Sequence, residues 1–205
     1  MASPKQIIKA YLRMAARGRN LMPVNKIIGR LIVSSVQRNF REGGRPKRWK
    51  KSGGAKKFNR KTLIQSGELM RDINFHATRS KVTVGTSKKY APLQHFGEPN
   101  LTPKTAQFLT VPIGLTQFEI RQGITAREFD NTFIANYIIF QKIGKKIRPL
   151  FKLEKSVSIP ARKFLVVQTV DRETTMVILD KWIMGGYKTP TSKRVFHVGR
   201  GLKPG

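Results

Sequence analysis

The chain has 205 residues, and 41 lysines and arginines against 11 acidic residues give it a formal net charge of +30. It contains no cysteine, which excludes disulfides and thiolate metal sites. No apolar run reaches the roughly 18 residues of a membrane-spanning helix, and Met1–Lys5 lacks the apolar core of a signal peptide. We therefore expect a protein that is made in the cytoplasm and has no membrane partner.

Two amphipathic helices are predicted at the N-terminus. Residues 4–17 carry apolar side chains at helical spacing, with Ser3 as the N-cap and Gly18 as the expected end. Pro23 opens a second helix of roughly 19 residues with an apolar stripe. The glycines at 43–44 are expected to end it.

The segment 43–61 is a break in composition. It holds nine lysines or arginines, four glycines and no acid, with Trp49 and Phe58 as its bulky apolar residues. Such a segment cannot bury enough apolar surface to fold alone, so we expect a loop or an arm.

Short elements are predicted in the middle of the chain. Residues 62–73 are expected to contain a short helix, capped by Ser66 or a residue slightly before it. Two strands follow at 74–78 and 81–85, joined by a tight polar turn. Residues 87–97 then favour a loop that runs into a helical turn.

A second group of strands follows. The proline in 108–113 places that strand at a sheet edge or ends it. Residues 117–130 are compatible with either a helix or a loop. The segments 132–141 and 148–153 are predicted to pair as a β-hairpin across Gly144.

The end of the chain completes the predicted domain. A turn at 160–162 precedes a helix at 171–184, and the basic tail 187–205 is expected to be an extended arm that orders only on a partner. Helices, then strands, then a helix predict an α+β fold: an antiparallel sheet packed against a long N-terminal and a C-terminal helix, with extended basic arms. The expected division is an N-terminal extension (1–20), an α+β domain (21–186) and the C-terminal arm.

Groups that could perform catalysis are scarce. Glu68 and Asp72 share a predicted helix face, but Arg71 lies between them, which favours a salt-bridged surface over an acid–base pair. The stretch 53–57 has glycine and lysine without the serine or threonine of a P-loop. No metal-ligand spacing occurs among the three histidines, His76, His95 and His197, and His95 is better explained as structural. We predict that the protein is not an enzyme and has no catalytic residue, cofactor or metal.

The basic segments are candidates for contact with a polyanion or an acidic protein surface, although a charge run is often only a solvated surface. Lysine and arginine neutralise phosphates without reading sequence, so contact with double-stranded DNA would be non-specific. Trp49 could stack on a base or simply anchor the loop to its own domain. The candidate contact residues are Arg45, Lys47, Arg48, Trp49, Lys50, Lys51, Lys56, Lys57, Arg60 and Lys61.

Four segments occur in an order typical of one known family. They are a long helix ending in Asn39–Gly44 with Pro46 and Trp49 after it, Leu63–Leu69, Val82–Thr86 with Tyr90-Ala91 and Gln94–Gly97, and Ile159–Leu165. In these segments the chain resembles the virion morphogenesis, or tail completion, family of tailed bacteriophages, which includes the Mu-like phages. The resemblance covers about residues 24–184.

The resemblance implies a structural, non-enzymatic protein at the head–tail junction, the neck of the virion. It implies a homo-oligomeric ring around the DNA channel. The expected partners are portal or adaptor proteins, tail terminator or tail tube proteins, and genomic double-stranded DNA. We expect Tyr90, His95, Arg162 and Phe164 to contact neighbouring subunits, with Arg162 facing a neighbour's carboxylate.

The alternative is a non-specific nucleic-acid-binding protein of ribosomal or nucleoid type. The charge and the two acid-free arms fit this class equally well. The ordered motifs around Gly85, Tyr90, His95 and 160–165 do not predict it.

Overall fold

A computed structural model describes residues 3–186 and confirms the α+β class. The chain has seven α-helices, one 3₁₀ helix and eight strands within that range. The helices are α1 (Pro4–Arg19), α2 (Met22–Glu42), α3 (Gly53–Lys57), α4 (Glu68–Arg71), α5 (Ala91–Phe96), α6 (Gln117–Gln122) and α7 (Thr169–Met184), with the 3₁₀ helix at Ala126–Glu128. The strands are β1 (Asn74–Ala77), β2 (Val82–Gly85), β3 (Glu98–Leu101), β4 (Leu109–Pro112), β5 (Thr132–Ala135), β6 (Ile138–Ile143), β7 (Lys146–Glu154) and β8 (Val157–Ile159).

The first two helices begin and end largely where their residues predict. At the start of α1, Ser3 and Gln6 form a capping box, each side chain bonding the other's backbone N–H. The helix does not end at Gly18 as predicted, because a single glycine weakens a helix without breaking it, and α1 continues to Arg19. Gly43 ends α2 in the left-handed conformation (φ 75°), as predicted.

Helix α2 organises the larger of two hydrophobic cores. It packs against the β1–β2 hairpin and against α7. Gly29 faces the ring of Phe75, where a Cβ would overlap the ring, so only glycine permits this close approach. The buried residues of this core are Val24, Ile28, Ile32, Val36, Phe40, Leu69, Ile73, Ala91 and Phe164.

A four-stranded antiparallel sheet forms the second half of the domain, in the order β4-β7-β6-β5. Its own small core consists of Leu115, Ile139, Leu150 and Phe151. Strand β4 lies at an edge of this sheet, as its proline predicted. The hairpin turn at Gly144 (φ 58°) joins β6 to β7, which also agrees with the prediction.

Several predicted boundaries were wrong because single residues adopt positive φ. The strand predicted at 132–141 is two strands, β5 and β6, since Asn136 (φ 50°) and Tyr137 (φ 59°) turn the chain back on itself. The helix predicted within 62–73 is only α4, because Leu63 (φ 64°) and Gly67 (φ 77°) interrupt helical geometry before it. The small sheet formed by β3 and β8 was not predicted at all.

A buried polar network joins α2 to the loop after it and to the start of α7. Asn39 donates to the carbonyl oxygen of Phe164 (2.9 Å) and accepts from Arg45 Nε (2.7 Å). Arg45 Nη2 also donates to the backbone and side-chain oxygens of Ser35 (2.7 and 2.8 Å). Ser35 in turn donates to Asp171 Oδ2 (2.6 Å). Buried polar groups are tolerated only when paired in this way.

His95 is part of the same packing. Its ring meets Phe164 edge to face, with centroids 5.0 Å apart, and Nδ1 accepts a hydrogen bond from the backbone N–H of Leu165 (3.4 Å). Burial, together with the nearby charge of Lys163, lowers the pKa of His95. The imidazole is therefore held neutral and structural.

No helix among residues 3–186 is long and apolar enough to span a bilayer. Helix α1 is the most amphipathic of the long helices and carries five lysines and arginines in its 16 residues.

The first prediction concerns Asn39, which is fully buried. Asn39→Ala would leave the carbonyl of Phe164 and the guanidinium of Arg45 without their partner. Because an orphaned buried polar group costs about 1–3 kcal/mol, we expect a loss of roughly 2–4 kcal/mol in unfolding free energy, measured by urea titration. Asn74→Ala removes an exposed amide and should change stability little; an equal loss in both variants would contradict the role of the network.

The second prediction is a pH dependence due to His95. Since its pKa in the fold is lowered, the unfolded chain binds the proton more readily, and stability falls as pH drops through the unfolded value of about 6.5. His95→Asn keeps an acceptor for Leu165 N–H and does not titrate. We expect the urea midpoint of unfolding of this variant to fall less than that of the wild-type protein between about pH 7.5 and 5.5. His76→Asn, at an exposed position of β1, should retain the wild-type dependence.

Candidate anion-binding cleft

The basic segment 43–61 is packed onto the domain as a loop that contains the short helix α3, so of the predicted loop or arm the structure shows the loop. Trp49 is half-buried and lies edge to face against Phe40, with ring centroids 5.7 Å apart. Its backbone N–H donates to the carbonyl of Gly43 (2.7 Å). Ser52 caps α3, and Ala55 within that helix is buried. Of the two interpretations of Trp49, anchoring is confirmed.

Two of the predicted contact residues hold the segment in place. Arg45 belongs to the buried network beneath α2. Lys57 reaches the sheet half, where its Nζ donates to the carbonyls of Ile113 (2.7 Å) and Leu115 (3.2 Å). The segment is thus fixed at both ends, which limits the motion of the cations between them.

An open cleft of about 680 Å³ lies beside this segment. Its walls come from the basic segment, the turn before α4, helices α5 and α6, and the chain from 158 to 162. Five cations line it: Lys50, Lys51, Arg60, Arg121 and Arg162. The polar groups of the lining are Ser52, Gln65, Ser66, Tyr90, Gln94 and Ser158, and Glu68 is its one carboxylate among residues 3–186.

Hydrogen bonds fix two of the guanidinium groups. Arg162 is only 4 % exposed, and it donates to the carbonyl of Lys50 (3.3 Å) and to Gln94 Oε1 (3.1 Å). Arg60 donates to Gln65 Oε1 (3.1 Å). The amide of Gln65 donates in turn to the carbonyl of Ile120 (3.0 Å), next to Arg121. These groups need little rearrangement to bind an anion.

The positive charge of the cleft is not compensated from within. Burial lowers the pKa of Arg162, and burial followed by the proximity of Arg121 lowers that of Arg60. Both nevertheless stay protonated, as arginine does in proteins. None of the five cations forms an ion pair with a carboxylate of residues 3–186. Glu68, which lines the cleft, is paired with Lys88 (3.2 Å). The cleft is therefore suited to bind phosphate or carboxylate oxygens.

The carboxylates considered for acid–base chemistry are used structurally. Asp72 accepts hydrogen bonds from the hydroxyl of Thr86 and the backbone N–H of Ser87, and the pKa of this carboxyl is lowered by those bonds. The predicted salt-bridged character is confirmed for Glu68, although its partner is Lys88 and not Arg71. Residues 3–186 contain no group of three or more metal-ligating side chains.

The four residues expected to contact neighbouring subunits divide into two sets. Tyr90 is 45 % exposed and lies on the wall of the cleft. His95 is half-buried. The expectation fails for Phe164, which is fully buried between Phe40 and His95, and Arg162 is directed into the cleft of its own chain.

The remaining predicted cations lie outside the cleft. Lys47, Arg48, Lys56 and Lys61 are exposed on the surface of the segment and are absent from the lining. Conversely, Arg121, Gln65 and Gln94 were missed. Gln65 and Gln94 lie within the motifs at 63–69 and 94–97, and Arg121 lies in α6. Only the tertiary fold brings the three together, so their shared role could not be predicted from local pattern.

The comparisons agree with the resemblance in the motifs. A family model described as the phage virion morphogenesis family matches residues 3–184. No curated protein and no solved structure matches the chain. Since the matched region is most of its length, the chain belongs to the phage virion morphogenesis family.

Proposed function

We propose that this protein is a structural component of the phage neck, where copies form a ring around the DNA channel and join the head to the tail. Membership of the family supports a role in building the virion. The observation that carries the finer proposal is the cleft, with its five cations and without an available carboxylate. Portal or adaptor proteins on one side and tail terminator or tail tube proteins on the other are the proposed neighbours.

Genomic DNA is the proposed anion at the cleft. Guanidinium groups bind phosphate oxygens with two N–H donors at once, and such contacts position a protein without reading bases. The side chains around Arg60, Arg121 and Arg162 offer hydroxyls and amides, but the lining has no aromatic group besides Tyr90 on which bases could stack. Contact of this kind is non-specific, as a channel that passes a whole genome requires.

The amount of exposed apolar surface supports association between copies of the chain. Among residues 3–186, 19 large hydrophobic side chains are exposed, against 15 hydrophobic residues that are buried. Strand β5 lies at a free edge of the four-stranded sheet, and all four of its residues are exposed, Phe133 and Ile134 among them. An exposed apolar edge strand offers unpaired backbone groups and apolar side chains to another chain, so it favours association. The proposed work is mechanical, through contacts between subunits, and not catalytic.

The third prediction tests the cleft with DNA. Lys51→Gln, Arg60→Gln and Arg121→Gln together remove three cations from the lining. Because each phosphate contact contributes about 0.9 to the slope of log affinity against log salt, we expect this variant to lower the slope by about 2–3 on double-stranded DNA.

The matched control removes three exposed lysines of equal charge elsewhere: Lys104→Gln, Lys145→Gln and Lys155→Gln. For this control variant, the slope of log affinity against log salt should fall by less than about 1. Equal losses in the two variants would mean that only net charge matters and that the cleft is not the site.

The fourth prediction concerns the particle. We expect the protein in purified virions at the neck, as density or label at the head–tail junction, and as a ring in sedimentation of the isolated protein. A monomer that binds RNA tightly would instead favour the ribosomal or nucleoid alternative. Absence from mature particles would contradict the structural role.

A further inference from the structure

Helix α1 presents an apolar stripe that no other part of residues 3–186 covers. Ile7, Ile8, Tyr11 and Leu12 fall on one face of the helix and are 59 to 70 % exposed. Residues 3–13 are all exposed, and partial burial begins only at Met14. Most of α1 therefore projects from the domain with its apolar face in solvent.

The base of α1 is fixed. Trp182 Nε1 donates to the carbonyl of Arg17 (3.3 Å), and the Arg17 side chain lies against Gly185 just beyond α7. Only Asn20 and Leu21 connect α1 to α2. The backbone N–H of Leu21 donates to the carbonyl oxygen of Arg79 (3.2 Å). These contacts hold α1 in its projecting orientation.

An open apolar groove of about 580 Å³ lies elsewhere on the same domain, between α2, β2 and the first half of α7. Its lining is mostly aliphatic and includes Ile28, Ile32 and Val36 of α2, Val82 and Val84 of β2, and Met176 of α7. An apolar groove of this kind accommodates the apolar face of a helix.

Charge separates the two surfaces in a complementary way. Alpha-helix α1 carries Lys5, Lys9, Arg13, Arg17 and Arg19 and no acid. On α7, the exposed Glu173 and Asp180 lie three residues before and four residues after Met176, on the helix face that also carries Arg172, which itself lines the groove.

Few other carboxylates remain available to a basic partner. Of the 11 acidic residues in the chain, seven are engaged by ion pairs, caps or the buried network: Glu42, Glu68, Asp72, Glu119, Glu128, Glu154 and Asp171. The face of α7 around Met176 is thus one of the few places among residues 3–186 where a basic helix meets exposed carboxylates.

We propose that α1 of one copy docks in the α2–α7 groove of a neighbouring copy, with Ile8 and Leu12 among the groove residues and its lysines near Glu173 and Asp180. Each copy gives one helix and one groove, so the contact is head-to-tail and generates a closed ring when the rotation closes. This inference rests on the proposed ring and names the surfaces that build it.

The absence of cysteine from the chain allows a direct test. A chain with Leu12→Cys and Met176→Cys is oxidised under mild conditions and separated by denaturing electrophoresis. We expect a ladder of disulfide-linked oligomers. The matched control pairs Leu12→Cys with Met184→Cys, which is similarly exposed on α7 (65 against 68 %) but lies outside the groove. It should give a much weaker ladder.

A non-covalent test uses two variants that alter exposed positions only. Ile8→Gln with Leu12→Gln disables the helix, and Met176→Arg disables the groove. Each should weaken self-association roughly a hundredfold in sedimentation without changing the melting temperature. Ala10→Gln with Ala16→Gln, at exposed positions outside the stripe, should associate like wild type.

A mixture of the helix-disabled and groove-disabled variants gives the sharpest test of the proposed contact. Since each disabled variant retains the other surface, an equimolar mixture should form dimers and nothing larger. A disulfide closed within one chain would show that α1 occupies its own groove and would overturn the inference. Rings that persist in both disabled variants would overturn it while leaving the ring itself intact, whereas a wild-type protein without rings or DNA binding would reject the proposed function.

Discussion

The fold depends on the buried polar network around the second half of α2. Asn39, Ser35, Arg45 and Asp171 connect three separate parts of the chain with hydrogen bonds of 2.6–2.9 Å. Hydrophobic packing alone would let α7 and the loop after α2 slide over an apolar surface. Directional bonds in a dry environment allow one register, because any shift leaves buried polar groups without partners.

The same network explains why so basic a segment is ordered. Arg45 is drawn beneath α2, Trp49 packs on Phe40, and Lys57 bonds to the sheet half. The cations between these anchors are thereby brought to the walls of one cleft, although they repel one another. Core packing and hydrogen bonding, not charge attraction within the chain, hold this concentration of positive charge in place.

Helix caps, helix ends and tight turns could be predicted from the sequence. The Ser3 cap, the Gly43 and Gly185 helix ends and the Gly144 turn were all foreseeable, because each depends on a few adjacent residues. The positive φ of Leu63 and Tyr137 was not, since neither residue type favours that conformation. The cleft was foreseeable only in part: its lysines belong to one basic run, but Arg121 reaches it through the packing of α6 and the bridge of Gln65.

The positive charge of the protein has opposite effects at the two proposed surfaces: it favours binding of a polyanion in the cleft and opposes docking of α1 in the α2–α7 groove. Copies with a formal charge of +30 repel one another, and this repulsion opposes docking of α1 at any groove. A polyanion in the cleft neutralises part of that charge and so favours association without contacting the groove. By linkage, association must then strengthen the binding of the polyanion to the same degree. Salt screens both effects but acts unequally. It weakens the phosphate contacts, the attraction of α1 to Glu173 and Asp180, and the repulsion between copies, whereas it leaves the apolar contacts in the groove in place. If the two proposals hold, ring formation on DNA at low salt and ring formation without DNA at higher salt are the expected consequences of one charge distribution.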